Sequence, residues 1–457
     1  MRSQRIRPYN RESDTRFLIQ RRDDDGQFHD SDFRSVSVLR SVISKVSRCT
    51  FCRMVDLPAV ANTARQLNGG VRHLNHRGEL SVINSMLRSL LVASAIARLT
   101  GPSSASADQL PIHMVLFTPN DVEPPEGVRE RLTEVANATE HFFLGNMQRL
   151  KFATREKQLF TREADGLVKV YFVKGKLSGK GDSYQGTECL REVWDAGVDK
   201  FQLPTNYPIW WVWVYLGPQP ERLRVYKGQG TLRRGGWALV NYSSIEGKID
   251  ADADLAHGFN EEFTLKGCIH ELGHALGLPH IGPDGNAVGG ERSPTGNTLM
   301  GPRTVWYLSR TKSDDTRVIL SPAAAAMLWK HPVFSGDMQR RNVLPEVVTG
   351  RLAASATRQG VTLSGQMRSS LPPHHAVVFI EPEGIEDERW RKTYIGRISR
   401  TGQFRVSIPD LDSGTGTLRV VYCFENGAVT GNGQKESLEG AIVRKYSIDG
   451  TRMLLAE

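Results

Sequence analysis

Three histidines within one short segment have the spacing of a metal site. The segment HELGHALGLPH begins at His270, so His270 and His274 stand at i and i+4 and would share one face of a helix. Gly277 can adopt the left-handed conformation that ends a helix, and Pro279 disfavours its continuation. The chain would then turn back and bring His280 to the same point. Three imidazole ligands that leave a fourth position for water are typical of a catalytic zinc site.

Glu271 directly follows the first of these histidines and has the chemistry that peptide hydrolysis needs. We predict one catalytic Zn²⁺, which would lower the pKa of its bound water towards about 7. Glu271 would take the proton of that water as general base and later pass it to the leaving amine. The ion would also polarise the scissile carbonyl and stabilise the oxyanion. The pattern therefore predicts a zinc-dependent endopeptidase that acts on protein or peptide substrates.

The residues around the motif are those of a helix that could hold such a site. Asn260 is a candidate N-cap, and the negative charges of Glu261 and Glu262 favour a helix start there. An apolar face directed away from the ligands comprises Leu265, Cys268, Ile269, Leu272 and Leu276. Gly267 and Gly273 lower helix stability, which predicts that another element packs closely against this helix.

The complete motif resembles the zinc signature of the metzincin metallopeptidases, and HELGHALGL is similar to that of matrix metalloproteinases. The segment NTLMGP from Asn297 resembles the Met-turn of this group, and Met300 is the matching methionine. The resemblance implies a thioether that forms an apolar floor under the ligands. It also implies a sheet whose edge strand binds substrate backbone, and Trp237–Tyr242 is our candidate for that strand. Tyr307 is the candidate for the tyrosine that stabilises the transition state in some metzincins, and Ile281 leaves the subfamily open.

Apolar runs and helical spacing alternate through residues 108–343. Strands are predicted at Ile112–Phe117, Val168–Val173, Ile209–Leu216 and Trp237–Tyr242, and helices at Val128 to about Leu150 and at Glu188–Phe201. This order predicts an α/β (α+β) metzincin-like catalytic domain with a mixed sheet and an active-site helix. The run IWWVWVYL predicts a central strand that is buried on both faces.

Residues 344–457 have a different pattern, with short β runs separated by Gly, Pro, Asn and Asp. Their fairly regular spacing predicts a C-terminal all-β sandwich. The sequence leaves open whether this domain binds substrate, cell wall or sugar, or only stabilises the protein.

The net charge of +9 is concentrated near the N-terminus, since residues 1–107 carry +8 of it. Residues 86–107 have a basic start, a short apolar centre and an A-x-A site, as in a secretory signal peptide. The apolar centre is much shorter than the roughly 20 residues that a transmembrane helix needs. We therefore predict secretion or export to the periplasm, with cleavage near Ala107-Asp108. Residues 1–85 are predicted to be a basic extension that is either disordered or misassigned as part of the protein.

Two other classes of function compete with the endopeptidase. A secreted binding or adhesion protein with an inactive zinc site is the alternative, and the complete set of ligands and glutamate argues against it. An intracellular nucleic-acid-binding protein would explain the basic N-terminus. The near-neutral remainder of the chain argues against that class, so no nucleic-acid partner is predicted, and the oligomeric state stays open.

Acidic residues before the motif have the spacing of a calcium loop. They are Asp250, Asp252, Asp254 and Glu261. Position six of that spacing is Leu255, where a calcium loop requires Gly, so we interpret the segment as a solvated acidic loop and keep Ca²⁺ as the weaker alternative. Export would also permit a disulfide between Cys189 and Cys268.

Overall fold

The computed structural model divides the chain into two compact units, residues 1–102 and 103–457. In the first unit the structure describes the antiparallel pair Arg21–Arg22 and Phe28–His29. In the second unit it describes residues 110–155, 158–180, 183–184, 186–203, 208–218, 227–231, 235–242, 249, 255, 265–283, 287–288, 291–292, 296–312, 316–338, 341–357, 360–409, 413–449 and 452–456. The predicted signal peptide at residues 86–107 lies outside the described residues.

In chain order, the second unit begins with a five-stranded sheet. Its strands are β1 (Ile112–Thr118), β2 (Val170–Lys174), β3 (Ile209–Val214), β4 (Lys227–Thr231) and β5 (Gly235–Asn241). Their order across the sheet is β2-β1-β3-β5-β4. The pair β4–β5 is antiparallel and the other three pairs are parallel.

Helices pack on both faces of this sheet. They are α1 (Val128–Arg149), α2 (Cys189–Asp199) and α3 (Leu265–Ala275). Trp211 and Trp213 of β3 enter the core shared with α1 and α3, whereas Trp210 and Val212 enter the core beside α2. Every side chain of β3 is buried, as its continuous apolar run predicts. The predicted mixed α/β architecture is therefore confirmed. Across the described residues, no helix combines the length and the apolar character needed to cross a membrane.

The cysteines of this region are buried and free. Cys189 lies in the core beside α2, and Cys268 lies in the core shared by α1 and α3. The two thiols therefore do not form the disulfide that export would permit, because the sheet separates them. Burial also raises the pKa of the Cys189 thiol, which keeps it protonated and unreactive.

One of the two edges of the sheet is β4. The segment predicted as the edge, Trp237–Tyr242, overlaps β5, which pairs with β3 on one side and with β4 on the other. That prediction is wrong because a further strand, Lys227–Thr231, completes a hairpin with β5. Its sequence, KGQGT, has no apolar alternation and gave no strand signal.

Glycines allow this hairpin to lie directly on α3. A Cβ atom at Gly228 would overlap the carbonyl oxygen of Glu271, and one at Gly230 would overlap that of Ala275. The strand and the helix therefore meet at backbone distance, which no larger residue would allow. The edge strand is thereby held beside the helix that carries the histidine motif.

We expect Gly230→Ala to lower the free energy of unfolding by about 1–3 kcal/mol, because the added methyl group must push β4 away from α3. Urea unfolding of the purified protein measures this change. Gly145→Ala is the matched control, since a Cβ atom at Gly145 in α1 meets nothing within 4 Å. It should stabilise the protein by roughly 0.5–1 kcal/mol through helix propensity. Equal stability of Gly230→Ala and the wild type would contradict the close packing.

A connecting segment follows α3. It contains β6 (Ala287–Val288), β7 (Glu291–Arg292), β8 (Asn297–Thr298), α4 (Thr304–Thr311), β9 (Val318–Ile319), α5 (Pro322–Leu328) and α6 (Pro332–Ser335). The pair β8–β9 is parallel and leads into the buried helix α5. Ser321 caps α5 by accepting a hydrogen bond from the Ala324 N–H.

The C-terminal region is rich in strands, as predicted. One sheet contains β10 (Val347–Thr349), β11 (Ala353–Thr357), β12 (Gly360–Ser369) and β15 (Gln403–Ile408). The other contains β13 (Pro373–Pro382), β14 (Lys392–Arg397), β16 (Gly414–Phe424), β17 (Val429–Thr430), β18 (Ile442–Asp449) and β19 (Arg452–Ala456). A 3₁₀ turn, Glu388–Trp390, connects β13 to β14.

Strand β13 joins the two parts of this unit through its alternating side chains. Val378 and Ile380 enter the core between the two C-terminal sheets. Val377 and Phe379 enter the large core that also contains α1, α3 and α5. The strand-rich region therefore shares a core with the region of the histidine motif, while the domain boundary at residues 343–344 stays a prediction.

Candidate metal centre

Helix α3 presents the first two histidines of the motif, and the turn after it presents the third. Gly277 has a φ of 86°, and the N–H of Leu278 donates to the carbonyl of Gly273 at 3.0 Å, which ends the helix as predicted. The Nε2 atom of His274 lies 3.1 Å from that of His270 and 3.1 Å from that of His280. Within the described residues, these three imidazoles form a group whose nitrogens could hold one metal ion.

The opposite nitrogen of each ring has an acceptor that sets its tautomer. The Nδ1–H groups of His270 and His274 donate to the carbonyl oxygens of Leu299 and Leu278, both at 2.8 Å. A carbonyl oxygen can only accept, so the proton lies on Nδ1 and the lone pair on Nε2. The lone pairs of these rings are therefore directed towards the common centre, as metal binding requires.

Burial keeps the rings of His270 and His274 neutral. It places the pKa of His270 well below the usual value for histidine, and the neighbouring imidazoles lower it further. The pKa of His274 is lowered to about 4, first by burial and then by His280. Neutral imidazole is the form that binds a metal, so this donor set fits a zinc ion at neutral pH.

Glu271 lies on α3 immediately after His270. The turn of α3 that carries it packs on β4, since a Cβ atom at Gly228 would overlap the Glu271 carbonyl oxygen. Burial raises the pKa of the Glu271 carboxyl group to about 7. The side chain can therefore exchange a proton near neutral pH.

Met300 packs against the underside of α3. Its thioether lies so close to Gly273 that a Cβ atom at that glycine would overlap the sulfur. The N–H of Ile281 donates to the Met300 carbonyl at 3.1 Å, which ties the turn to the residue that follows the third histidine. Met300 is buried, with 1% of its surface exposed. Its assignment as the Met-turn residue stays a prediction.

Two further predictions from the sequence concern Tyr307 and the acidic residues with calcium-loop spacing. Tyr307 lies in α4 and is buried, and its N–H donates to the Arg303 carbonyl at 2.9 Å. No contact between Tyr307 and the imidazoles is seen among the described residues, so its role stays a prediction. The acidic residues of the calcium-loop spacing lie outside the described residues.

Glu388 is a residue of the site that the sequence analysis missed. Its Oε1 lies 2.5 Å from Nδ1 of His280. The hydrogen bond from His280 lowers the pKa of Glu388 to about 2, so the carboxylate is ionised and accepts a hydrogen bond from the Nδ1–H group. Glu388 stands 108 residues after His280 in the chain. No local pattern could have linked the two, because sequence spacing reports only neighbours on one element.

Comparisons with known proteins identify a shared fold. No family model matches this chain, and no curated protein matches it. A catalytically inactive OgpA from Akkermansia muciniphila, solved with an O-glycopeptide substrate, matches with 18% identity and a TM-score of 0.57 over 76% of this chain and 96% of that chain. Wild-type OgpA matches with 19% identity and a TM-score of 0.58 over 76% and 95% of the two chains. At this identity the likeness concerns the fold alone.

Proposed function

We propose that this chain is a secreted zinc-dependent endopeptidase of the metzincin type, with zinc held by His270, His274 and His280. The observation that carries the proposal is the convergence of three Nε2 atoms on rings whose Nδ1 atoms already have partners. Three neutral imidazoles with an open fourth position are the ligand set of catalytic zinc sites. When bound, zinc supplies a Lewis acid that acidifies water and stabilises negative charge on the substrate carbonyl oxygen.

Glu271 is the proposed general base. Burial raises the pKa of its carboxyl group to about 7, so the group can take up and release a proton near neutral pH. It takes a proton from the attacking water and delivers it to the amine that leaves as the peptide bond breaks. Met300 packs against α3 at Gly273, which lies between His270 and His274 in the helix. This contact would fix the position of the helix, and with it the positions of both histidines.

The edge strand β4 is the proposed binding site for substrate backbone. One side of β4 pairs with β5, and its glycines lie on the turns of α3 that carry Glu271 and His274. An extended peptide that adds to the other side by β-augmentation would lie beside the imidazoles. Because OgpA was solved with an O-glycopeptide, we include an O-glycosylated peptide among the substrates to test. Secretion is supported by the signal-like segment at residues 86–107.

Metal removal tests the proposal. We expect the purified protein to contain one Zn²⁺ per chain and to hydrolyse casein, gelatin or an O-glycosylated peptide. A chelator should abolish hydrolysis, and stoichiometric Zn²⁺ should restore it, because the imidazoles alone provide no Lewis acid. Hydrolysis that continues in the metal-free protein would contradict the proposal. Bound zinc without cleavage of any of these substrates would favour the alternative, a secreted binding protein with an inactive zinc site.

A further inference from the structure

The three imidazoles differ in what holds their Nδ1 atoms. His270 and His274 donate to backbone carbonyls close to α3, those of Leu299 and Leu278. His280 donates instead to the carboxylate of Glu388, in the 3₁₀ turn between β13 and β14. The third ring is thus the one whose orientation depends on the strand-rich region.

We propose that Glu388 is a positioning residue of the metal centre, through which the C-terminal region completes the site by holding His280 in its metal-binding orientation. This inference rests on the proposed function. A carboxylate that accepts from the far nitrogen of a histidine ligand fixes the ring and raises the basicity of its other nitrogen. A charge-assisted hydrogen bond does this more strongly than a neutral carbonyl. The other two ligands are fixed by the helix, whereas His280 lies on the turn beyond it and needs an external partner.

The turn that carries Glu388 is itself held in place. Arg391 forms ion pairs with Glu388 at 2.9 Å and with Glu381 of β13 at 2.8 Å. Asp387 accepts a hydrogen bond from the Arg389 N–H at 3.0 Å, which caps the 3₁₀ turn. These contacts give the carboxylate a defined position relative to β13, and β13 is anchored in the large core.

Contacts with the other side of the site hold the same turn independently of Glu388. Gly282 lies two residues after His280, and its N–H donates to the Arg391 carbonyl at 2.8 Å. The guanidinium of Arg389 lies 4.9 Å from the ring centre of Trp306 in α4. Arg310, also in α4, lies 4.4 Å from the ring centre of Trp390. Removal of the Glu388 side chain should therefore leave the turn docked and affect mainly the ring of His280.

Metal affinity of the full chain tests this role. We expect Glu388→Ala to weaken Zn²⁺ binding by about 10- to 100-fold, the usual effect of losing an outer partner of a histidine ligand. Glu388→Gln should lose less, because its amide oxygen still accepts from Nδ1 without the charge. Glu386→Gln is the matched control, an exposed glutamate in the same connection, and should bind as the wild type does. A chromophoric chelator in competition with the metal-free protein measures each dissociation constant.

Thermal unfolding of the metal-free variants separates positioning from a general loss of structure. If Glu388 only fastened the turn, Glu388→Ala would lower the melting temperature while the folded protein kept its zinc affinity, and that result would overturn the inference. If the alanine variant does not fold, the glutamine variant decides: wild-type affinity in that protein would also overturn it. Failure of the wild type to bind zinc would instead refute the proposed function and remove the basis of this inference. Tight zinc binding by both the wild type and Glu388→Ala would refute the inference alone.

Discussion

Replacement of Glu271 by alanine should reduce kcat/KM for peptide hydrolysis about 1,000-fold, within the 10²–10⁴ range of general-base catalysis. Glu271 follows the first proposed ligand on α3, and burial raises the pKa of its carboxyl group to about 7. Without it, the proposed acceptor for the proton of the attacking water is lost. Zinc content should stay at one ion per chain, because Glu271 does not belong to the converging group of ligands.

Activity and zinc content must be measured on the same preparation of Glu271→Ala. Glu130→Ala provides the control, since Glu130 is an exposed glutamate in the first turn of α1, remote in sequence from the motif. It should retain both zinc and activity. Hydrolysis at the wild-type rate by Glu271→Ala would remove this residue from the mechanism, and loss of zinc would show that it acts on the metal.

Removal of one proposed histidine ligand should weaken zinc binding strongly. In His274→Ala the removed Nε2 is the one that lies 3.1 Å from both of the others, so only His270 and His280 remain to hold the metal. If three ligands share roughly 10 kcal/mol of binding free energy, the loss of one costs about 3 kcal/mol, or roughly 100- to 1,000-fold in the dissociation constant. Chelator-sensitive hydrolysis should disappear with the metal.

The control for this variant is His141→Ala, which removes an exposed histidine from α1. Each protein is titrated with zinc and dialysed, and element analysis then measures the zinc that stays bound. Because His274 also donates to the Leu278 carbonyl at the end of α3, the metal-free stability of His274→Ala should be measured in parallel. A variant that stays folded and binds zinc as tightly as the wild type would show that the metal is bound elsewhere.

The local part of the site could be predicted from the residues. The i, i+4 spacing of His270 and His274 puts both on one helical face whatever surrounds the helix. Gly277 takes the positive φ that ends the helix and brings His280 back, since a residue without Cβ adopts it at little cost. The buried strand β3 was equally clear, because an uninterrupted apolar run is consistent with burial on both faces.

The edge strand shows where such reasoning fails. Lys227–Thr231 carries glycines and polar residues, so it lacks the apolar alternation that marks a strand. Its position is set by pairing with β5 and by the closeness of α3, which its glycines permit. Both are contacts with other segments of the chain, so the local sequence could not predict this strand. Because β4 pairs with β5, the segment predicted as the edge, Trp237–Tyr242, is an internal strand.

The amino-acid sequence therefore specified which three histidines come together, which glutamate adjoins them, and the order of the main strands and helices, because these depend on spacing within one element. The pairing of His280 with Glu388, the edge strand over α3 and the core shared through β13 arose only from the folded chain. Each joins segments far apart in sequence, and their approach depends on the packing of the whole unit, which no local pattern encodes.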